Sequence, residues 1–316
     1  MFAFVSTVTG VTGVTVRAPA KVNLQLFVGP LRDDGYHDLV NVFQSVSVYD
    51  EVTVSPAERL RVTVHGDDGI GTRAVPRDRT NLAAEAVAIL AARTGRPPNV
   101  EISIRKRIPV AGGMAGGSAD AAAALVACDE LWQTGLGDRE LGDLGARLGS
   151  DVPFMLMGGT AVGYGRGELL EPLAGPERFH WVFVRAETGL STAEVYQAHS
   201  RSRASAGGGA ALPPGPTTGL THALVRGDAR RLGAELKNDL HPTVFKLRPE
   251  LEHLLGLGQE VAAAGAVVSG TGPTCAFLAS SEEHADIMRR HLSQITGSER
   301  VLVAHGPVPG IERVPP

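Results

Sequence analysis

Residues 100–122 hold the pattern that most restricts how this chain can fold. Val100-Glu101-Ile102-Ser103-Ile104 alternates β-branched and polar residues as a strand does. Pro109-Val110-Ala111-Gly112-Gly113-Met114-Ala115-Gly116-Gly117-Ser118-Ala119 then sets four glycines within six residues, and an alanine-rich run opens at Ser118. The order is strand, glycine loop, helix. Glycine reaches φ > 0 and lets a backbone come close to a ligand. A helix start presents unpaired N–H groups and the positive end of a dipole. Together these make an anion site, phosphate above all. The loop by itself leaves a plain turn open as the other reading. The two commonest phosphate loops are excluded by spelling, since no Gly-Lys pair occurs anywhere and G-x-G-x-x-G is absent from this junction.

Composition narrows the class. The chain has 316 residues, enough for one large domain or two ordinary ones, with 43% hydrophobic and 20% charged residues. A formal net charge of −4 speaks against a general nucleic-acid binder. The two cysteines, Cys128 and Cys275, form no CxxC and fit a reducing compartment. No apolar run is long enough to span a membrane. Residues 1–13 lack a basic region followed by a solid apolar stretch and read as a loose tail. These features predict a cytoplasmic enzyme that engages neither membrane nor nucleic acid.

Strands are predicted at 14–16 and 18–26, 42–54, 60–65, 100–106, 160–164 and 180–186. Helices are predicted over Asn81–Thr94 with Thr80 as cap, over Ser118–Trp132, apolar nearly all round and so buried, and over Arg139–Leu148, closed by Gly149. Ser200–Pro216 is dominated by Ser, Gly, Ala and Pro and reads as a mobile surface insertion. Helices at 219–225, 228–236 and 249–264 follow, then strand, glycine turn and strand over 266–278, a helix over 283–294 and a last strand at 301–304. Mixed elements without strict βαβ alternation predict an α+β protein. The division expected is 14–170 and 171–316.

Pro109-x-x-x-Gly113-x-x-Gly116-Gly117-Ser118-Ala119 resembles the phosphate-binding motif of the GHMP kinases. Ala18-Pro19-Ala20-Lys21-Val22-Asn23-Leu24 and Ser269-Gly270-Thr271-Gly272-Pro273-Thr274 match two further blocks of that family, in its order. Asp34-Gly35-Tyr36-His37-Asp38-Leu39 and Gly149-Ser150-Asp151-Val152-Pro153-Phe154 are similar to the branch whose acceptor alcohol carries a cytidine diphosphate. The resemblance implies a two-domain architecture: an N-terminal half like ribosomal protein S5 domain 2, a ferredoxin-like C-terminal half, and an active site in the cleft between them. It implies ATP as co-substrate, Mg²⁺, and a small-molecule acceptor, in a monomer or weak homodimer.

Site residues follow from both sources. Asp151 precedes Val-Pro-Phe and reads locally as a helix cap or as a carboxylate able to orient and deprotonate an alcohol; the resemblance makes it catalytic. Lys21 stands in an apolar run, so its charge is expected to be partly buried and to need a partner. The family places it between the aspartate and the transferred phosphoryl group, with Asn23 as a polar neighbour. Residues 110–119 would hold the ATP phosphates, with Ser118 as a Mg²⁺ ligand. Asp120, one turn inside the helix, is open to a supporting, capping or solvated role. The resemblance puts Asn81 and Lys106 near the nucleobase, although Arg105-Lys106-Arg107 reads equally as a solvated charge run. Tyr36, His37 and Tyr196 would bind the acceptor's base, Tyr196 reading equally as core. Ser269–Gly272 would support the first loop from across the cleft. The alternatives are another small-alcohol kinase of the family, which needs no base-reading pair, and a non-catalytic nucleotide sensor, which needs neither Lys21 nor Asp151.

Overall fold

The computed structural model describes residues 13–66, 70–175, 178–187, 189–205 and 211–315. Residues 1–12 of the expected tail, and 206–210 of the expected insertion, lie outside these. In chain order the elements of the first half are β1 (Val14–Leu31), β2 (His37–Pro56), β3 (Arg61–Gly66), α1 (Leu82–Thr94), β4 (Val100–Lys106), α2 (Gly116–Trp132), α3 (Asp138–Leu148), α4 (Val152–Met157), β5 (Thr160–Tyr164) and β6 (Leu169–Pro172). The second half adds β7 (Phe179–Arg185), α5 (Thr192–Ser205), α6 (Thr218–Arg226), α7 (Ala229–Glu235), β8 (Lys237–Asn238), α8 (His241–Leu247), α9 (Pro249–Glu260), β9 (Gly265–Val268), β10 (Thr274–Ala279), α10 (Glu282–Thr296), β11 (Val301–Gly306) and β12 (Glu312–Arg313).

Two sheets organise these elements. The first runs β12-β1-β2-β4-β3, with β5 and β6 continuing from β2 and β8 pairing with β1. The second is antiparallel with the order β11-β7-β10-β9. With α9 between β7 and β9 and α10 between β10 and β11, it is the ferredoxin-like half that was expected. The expected division at 170/171 falls inside β6 (Leu169–Pro172), and β8 and β12 return from the second half to the first sheet. The halves also share a core: Phe179, Trp181, Ala276 and Leu278 join Phe43, Val46 and Ala161 in one apolar cluster.

Strand β1 shows why the halves close on each other. Side chains alternate across a strand. Val14, Val16, Ala18, Ala20, Val22 and Leu24 enter the core with α2, while Lys21, Asn23 and Gln25 on the other face are also buried. Gln25 Nε2 donates to Thr217 Oγ1 (2.7 Å) and to the Glu235 carbonyl (2.9 Å), both in the second half. A polar face taken from water needs such partners. Helix α2 fits against the sheet because Ala119 and Ala121–Ala124 are small and fully buried. Among the described residues no helix is long and apolar enough to cross a membrane.

Four local expectations are corrected. Asn81, not Thr80, caps α1, its Oδ1 accepting from Ala83 N at 2.9 Å. Helix α9 ends at Glu260 rather than Ala264. Residues 200–205 complete α5 and are not part of an irregular insertion. Lys106 is not in a solvated run: it is 2% exposed and its ammonium bonds Asp50, Asp120 (2.7 Å) and the Gly116 carbonyl (3.1 Å). Period-2 alternation turns Lys106 inward and Arg105 outward. Asp50 Oδ1 also accepts from the backbone N–H groups of Arg107 (2.6 Å) and Ile108 (2.9 Å). The cluster thereby ties β2, β4 and the start of α2 together. Burial alone would lower the Lys106 pKa, but the two carboxylates outweigh it and hold it above the ordinary value. Burial, opposed by the Lys106 charge, raises the Asp120 carboxyl above its ordinary value.

Two outcomes are expected from these buried groups. Lys106→Ala leaves two buried carboxylates without their cation and should cost about 3–5 kcal/mol of stability in urea unfolding. His241 Nε2 accepts from Val268 N (3.1 Å), and burial, opposed by Asp239, pushes its pKa down to about 4. The unfolded chain then binds the proton more readily than the folded one, so stability falls with falling pH. The His241 contribution should be complete above pH about 6.5 and lost towards pH 4. A His241→Gln variant, lacking the titrating group, should show a flatter dependence of Tm over that range.

Candidate active site

The glycine loop leaves β4 and turns over the buried Lys106 cluster into α2. Ala111, Gly113 and Ala115 all have positive φ, and Ala115 caps α2 in the left-handed conformation with no side-chain cap bond. The first helical bond is made by Ala119 N to the Ala115 carbonyl (2.9 Å). The N–H groups of Gly116, Gly117 and Ser118 therefore precede the helical ladder and point out of its positive end. Ser118 and Gly116 are half-buried and Gly117 exposed. Met114 and Ala119 have buried side chains and offer the site only backbone, while Val110 N is held by the Ile70 carbonyl (3.3 Å).

Two expected nucleotide residues are placed differently. Asn81 is 4% exposed, its oxygen capping α1 and its Nδ2 donating to the Pro76 carbonyl at 2.7 Å. The Lys106 ammonium is occupied as described above. Both polar ends are satisfied inside the protein, and Lys106, through the Gly116 carbonyl, supports the loop from behind.

The second glycine loop, Ser269–Gly272, packs directly on the first. Ser269 Oγ donates to the Gly113 carbonyl (3.0 Å). A Cβ on Gly113 would stand 2.3 Å from the Ser269 carbonyl oxygen, which no larger residue tolerates. A Cβ on Gly270, whose φ is +58, would stand 3.3 Å from Lys21 Nζ and 3.1 Å from Asn23 Oδ1. Thr271 Oγ1 lies 3.2 Å from Thr192 Oγ1 at the start of α5.

Lys21 sits where the loops meet. Its backbone N–H donates to the Met114 carbonyl (3.2 Å), its Nζ donates to Asn23 Oδ1 (2.5 Å), and Asp151 Oδ2 lies 4.0 Å from Nζ. Asn23 in turn donates to Asn41 Oδ1 (2.8 Å). Burial lowers the Lys21 pKa, and the Asp151 charge pulls it back up. Asp151 precedes α4 but makes no side-chain cap bond, and its side chain keeps 29% of its exposure. The carboxylate is thus positioned by the helix without being used by it. Among the described residues no group of three or more His, Cys, Asp and Glu could hold a metal. The donors that suit a hard cation beside phosphates are the Ser118 hydroxyl and the phosphates themselves.

A second cluster borders this centre. The His37 and Tyr196 rings lie 5.8 Å apart with planes inclined by 31°. His37 Nδ1 donates to the Gly29 carbonyl (2.8 Å), which can only accept, and Nε2 lies 2.8 Å from Ser200 Oγ on α5. Burial, and after it the Asp151 charge, raises the Tyr196 phenol pKa. Tyr36 remains 53% exposed, one face covered by the Arg166 guanidinium at 4.9 Å. Asp50, Asn41, Arg166 and Ser200 were not read as site-related from sequence. Only Asp50 carries a signal there, an acidic residue beside Glu51 within an alternating strand pattern.

Residues 81–159 match the model of the GHMP kinases N-terminal domain, and residues 220–298 that of the GHMP kinases C-terminal region. A 4-diphosphocytidyl-2-C-methyl-D-erythritol kinase of Thermobifida fusca (strain YX) is 54% identical over 306 residues, 95% of this chain and 97% of that protein. One from Streptomyces coelicolor (strain ATCC BAA-471 / A3(2) / M145) is 54% identical over 274 residues, 86% of this chain and 89% of the relative. A crystal structure of 4-(cytidine 5'-diphospho)-2C-methyl-D-erythritol kinase superposes with a TM-score of 0.72 at 32% identity, covering 92% of this chain and 98% of that one. L. major mevalonate kinase, at 19% identity and TM-score 0.68 over 92% of this chain and 94% of that one, shares the fold. By sequence over nearly its whole length and by architecture, the chain belongs to the GHMP kinase family, on the branch of the 4-diphosphocytidyl-2-C-methyl-D-erythritol kinases.

Proposed function

We propose that this phosphotransferase moves the γ-phosphoryl group of ATP to the 2-hydroxyl of 4-diphosphocytidyl-2-C-methyl-D-erythritol, giving the 2-phosphate and ADP in non-mevalonate isoprenoid synthesis. The observation that carries the reading is the position of Lys21, within 4.0 Å of Asp151 and beneath both glycine loops. The N–H groups of Gly116–Ser118 take the nucleotide phosphates at the helix start. Ser118 is the residue that would hold Mg²⁺, which would neutralise phosphate charge. Asp151 accepts a hydrogen bond from the acceptor hydroxyl and takes its proton. Lys21, buried beside it, offsets charge on the transferred group. Phosphoryl transfer passes through a loose transition state, so orientation by Asp151 comes first and proton transfer late. No nucleophilic side chain is placed for a covalent intermediate, and transfer is direct.

Tyr36, His37 and Tyr196 bind the cytosine end. His37 and Tyr196 are already set as neighbouring rings, and Tyr36 offers the exposed ring surface a base needs. Cytoplasmic placement, as a monomer or weak homodimer, belongs to the same reading. Cys128 and Cys275 are free and buried, as suits a reducing compartment.

A coupled ADP-release assay across the diphosphocytidyl alcohol, mevalonate, homoserine and galactose tests the assignment. Turnover confined to the last three would refute it. Asp151→Asn should lower kcat by about 10²-fold. Tyr36→Ala should weaken the base contact by about 1–3 kcal/mol, roughly 5- to 150-fold in the KM of the acceptor. The KM for ATP should stay unchanged, so the two constants measured on one preparation separate the base slot from the phosphate loop.

A further inference from the structure

We infer that Asn238 is a positioning residue for phosphoryl transfer: it sets the second glycine loop against Lys21 and the phosphate loop. Asn238 lies in β8, whose pairing with β1 places it opposite Leu26. It is 5% exposed. Both hydrogens of its amide are spent on the second loop, Nδ2 donating to the Val268 carbonyl (2.9 Å) and the Gly270 carbonyl (2.7 Å). Its Oδ1 accepts from Leu240 N (2.9 Å), which fixes the amide's orientation. The segment is held on both sides: Asp239 N donates to the Leu26 carbonyl (2.9 Å), and Val268 N donates to His241 Nε2 (3.1 Å).

This geometry makes a rigid path from the catalytic strand to the loop above it. Gly270 has left-handed backbone and lies against Lys21 and Asn23. Ser269, one residue earlier, holds the Gly113 carbonyl and approaches Asn23 Oδ1 (3.3 Å). A neutral amide is the group that the position demands. Two carbonyl oxygens converge on one side and a backbone N–H on the other, so the side chain must supply two donors and an acceptor at once. An aspartate of the same shape supplies no donor when ionised and one when protonated. Losing these bonds frees the loop to move, and displacements of about 1 Å at a reacting centre cost on the order of 10²-fold in rate.

The inference rests on the reading of 109–118 as the ATP phosphate loop. The test compares the unmodified enzyme with Asn238→Asp and Asn238→Ala, measuring kcat and both KM values from pH 6 to 9, with circular dichroism to verify folding. At pH 8 Asn238→Asp should lose at least tenfold in kcat and raise the KM for ATP severalfold, with the KM for the diphosphocytidyl alcohol within twofold. Its deficit relative to the unmodified enzyme should narrow towards pH 6, because burial against two carbonyl oxygens raises the introduced carboxyl's pKa and its protonated form regains one donor. Asn238→Ala should show the loss without the narrowing; if it does not fold, Asn238→Asp alone decides. Unchanged constants in folded Asn238→Asp overturn the inference while leaving the phosphate-loop reading intact. So does a loss that is flat with pH and equal for both substrates. Absence of ATP turnover in the unmodified enzyme overturns both.

Discussion

A single buried ammonium, that of Lys21, sets the terms for the rest of the structure. A cation removed from water is costly unless other groups replace its solvation. Here the replacements are Asn23 on the same strand, Asp151 at the start of α4, and the crowding backbone of Gly270. The first two belong to the first half, whereas Gly270 reaches Lys21 only when the second half closes over the polar face of β1. The same closure seats Ser269 on Gly113 and Thr217 on Gln25. The surroundings of Lys21 and the joining of the two halves are therefore coupled through the second glycine loop.

The protein's two buried lysines show how burial divides structural from chemical roles. Lys106 has two carboxylates and a carbonyl within hydrogen-bond reach, and its charge is stabilised beyond the ordinary value. Nothing remains for a ligand to add. Lys21 has one amide oxygen and a carboxylate at the edge of contact, and burial outweighs them. In the proposed reaction an incoming phosphoryl group supplies the negative charge that this site lacks. The contrast fits the proposed roles, in which one lysine braces the glycine loop from behind and the other faces the reaction.

The glycine loop, the Lys21 block and the Asp151 block were legible as spelling because each depends on local needs: backbone freedom, an apolar run around one charge, a helix start. Asp151 is the instructive case. Its position before Val-Pro-Phe is that of a cap, yet its side chain makes no capping bond, so local spelling identified the place and not the use. Residues 200–205 failed in the opposite way. Averaged with the glycines and prolines after them they read as irregular, but Ser200-Arg201-Ser202-Arg203-Ala204-Ser205 is compatible with helix and simply extends α5. That extension matters, since it brings Ser200 onto His37.

By itself the sequence determined the α+β class, the strand–loop–helix phosphate cradle, and the residues that a GHMP kinase needs, because these rest on periodicity, glycine conformation and motif order. Tertiary structure decided which polar groups meet. It turned Lys106 inward, gave Asp50 and Asn238 their tasks, and placed Tyr196 beside His37. The physical reason is common to all of them. A buried polar side chain takes its role from its hydrogen-bond partners, and those partners lie tens to hundreds of residues away along the chain, where no local pattern records them.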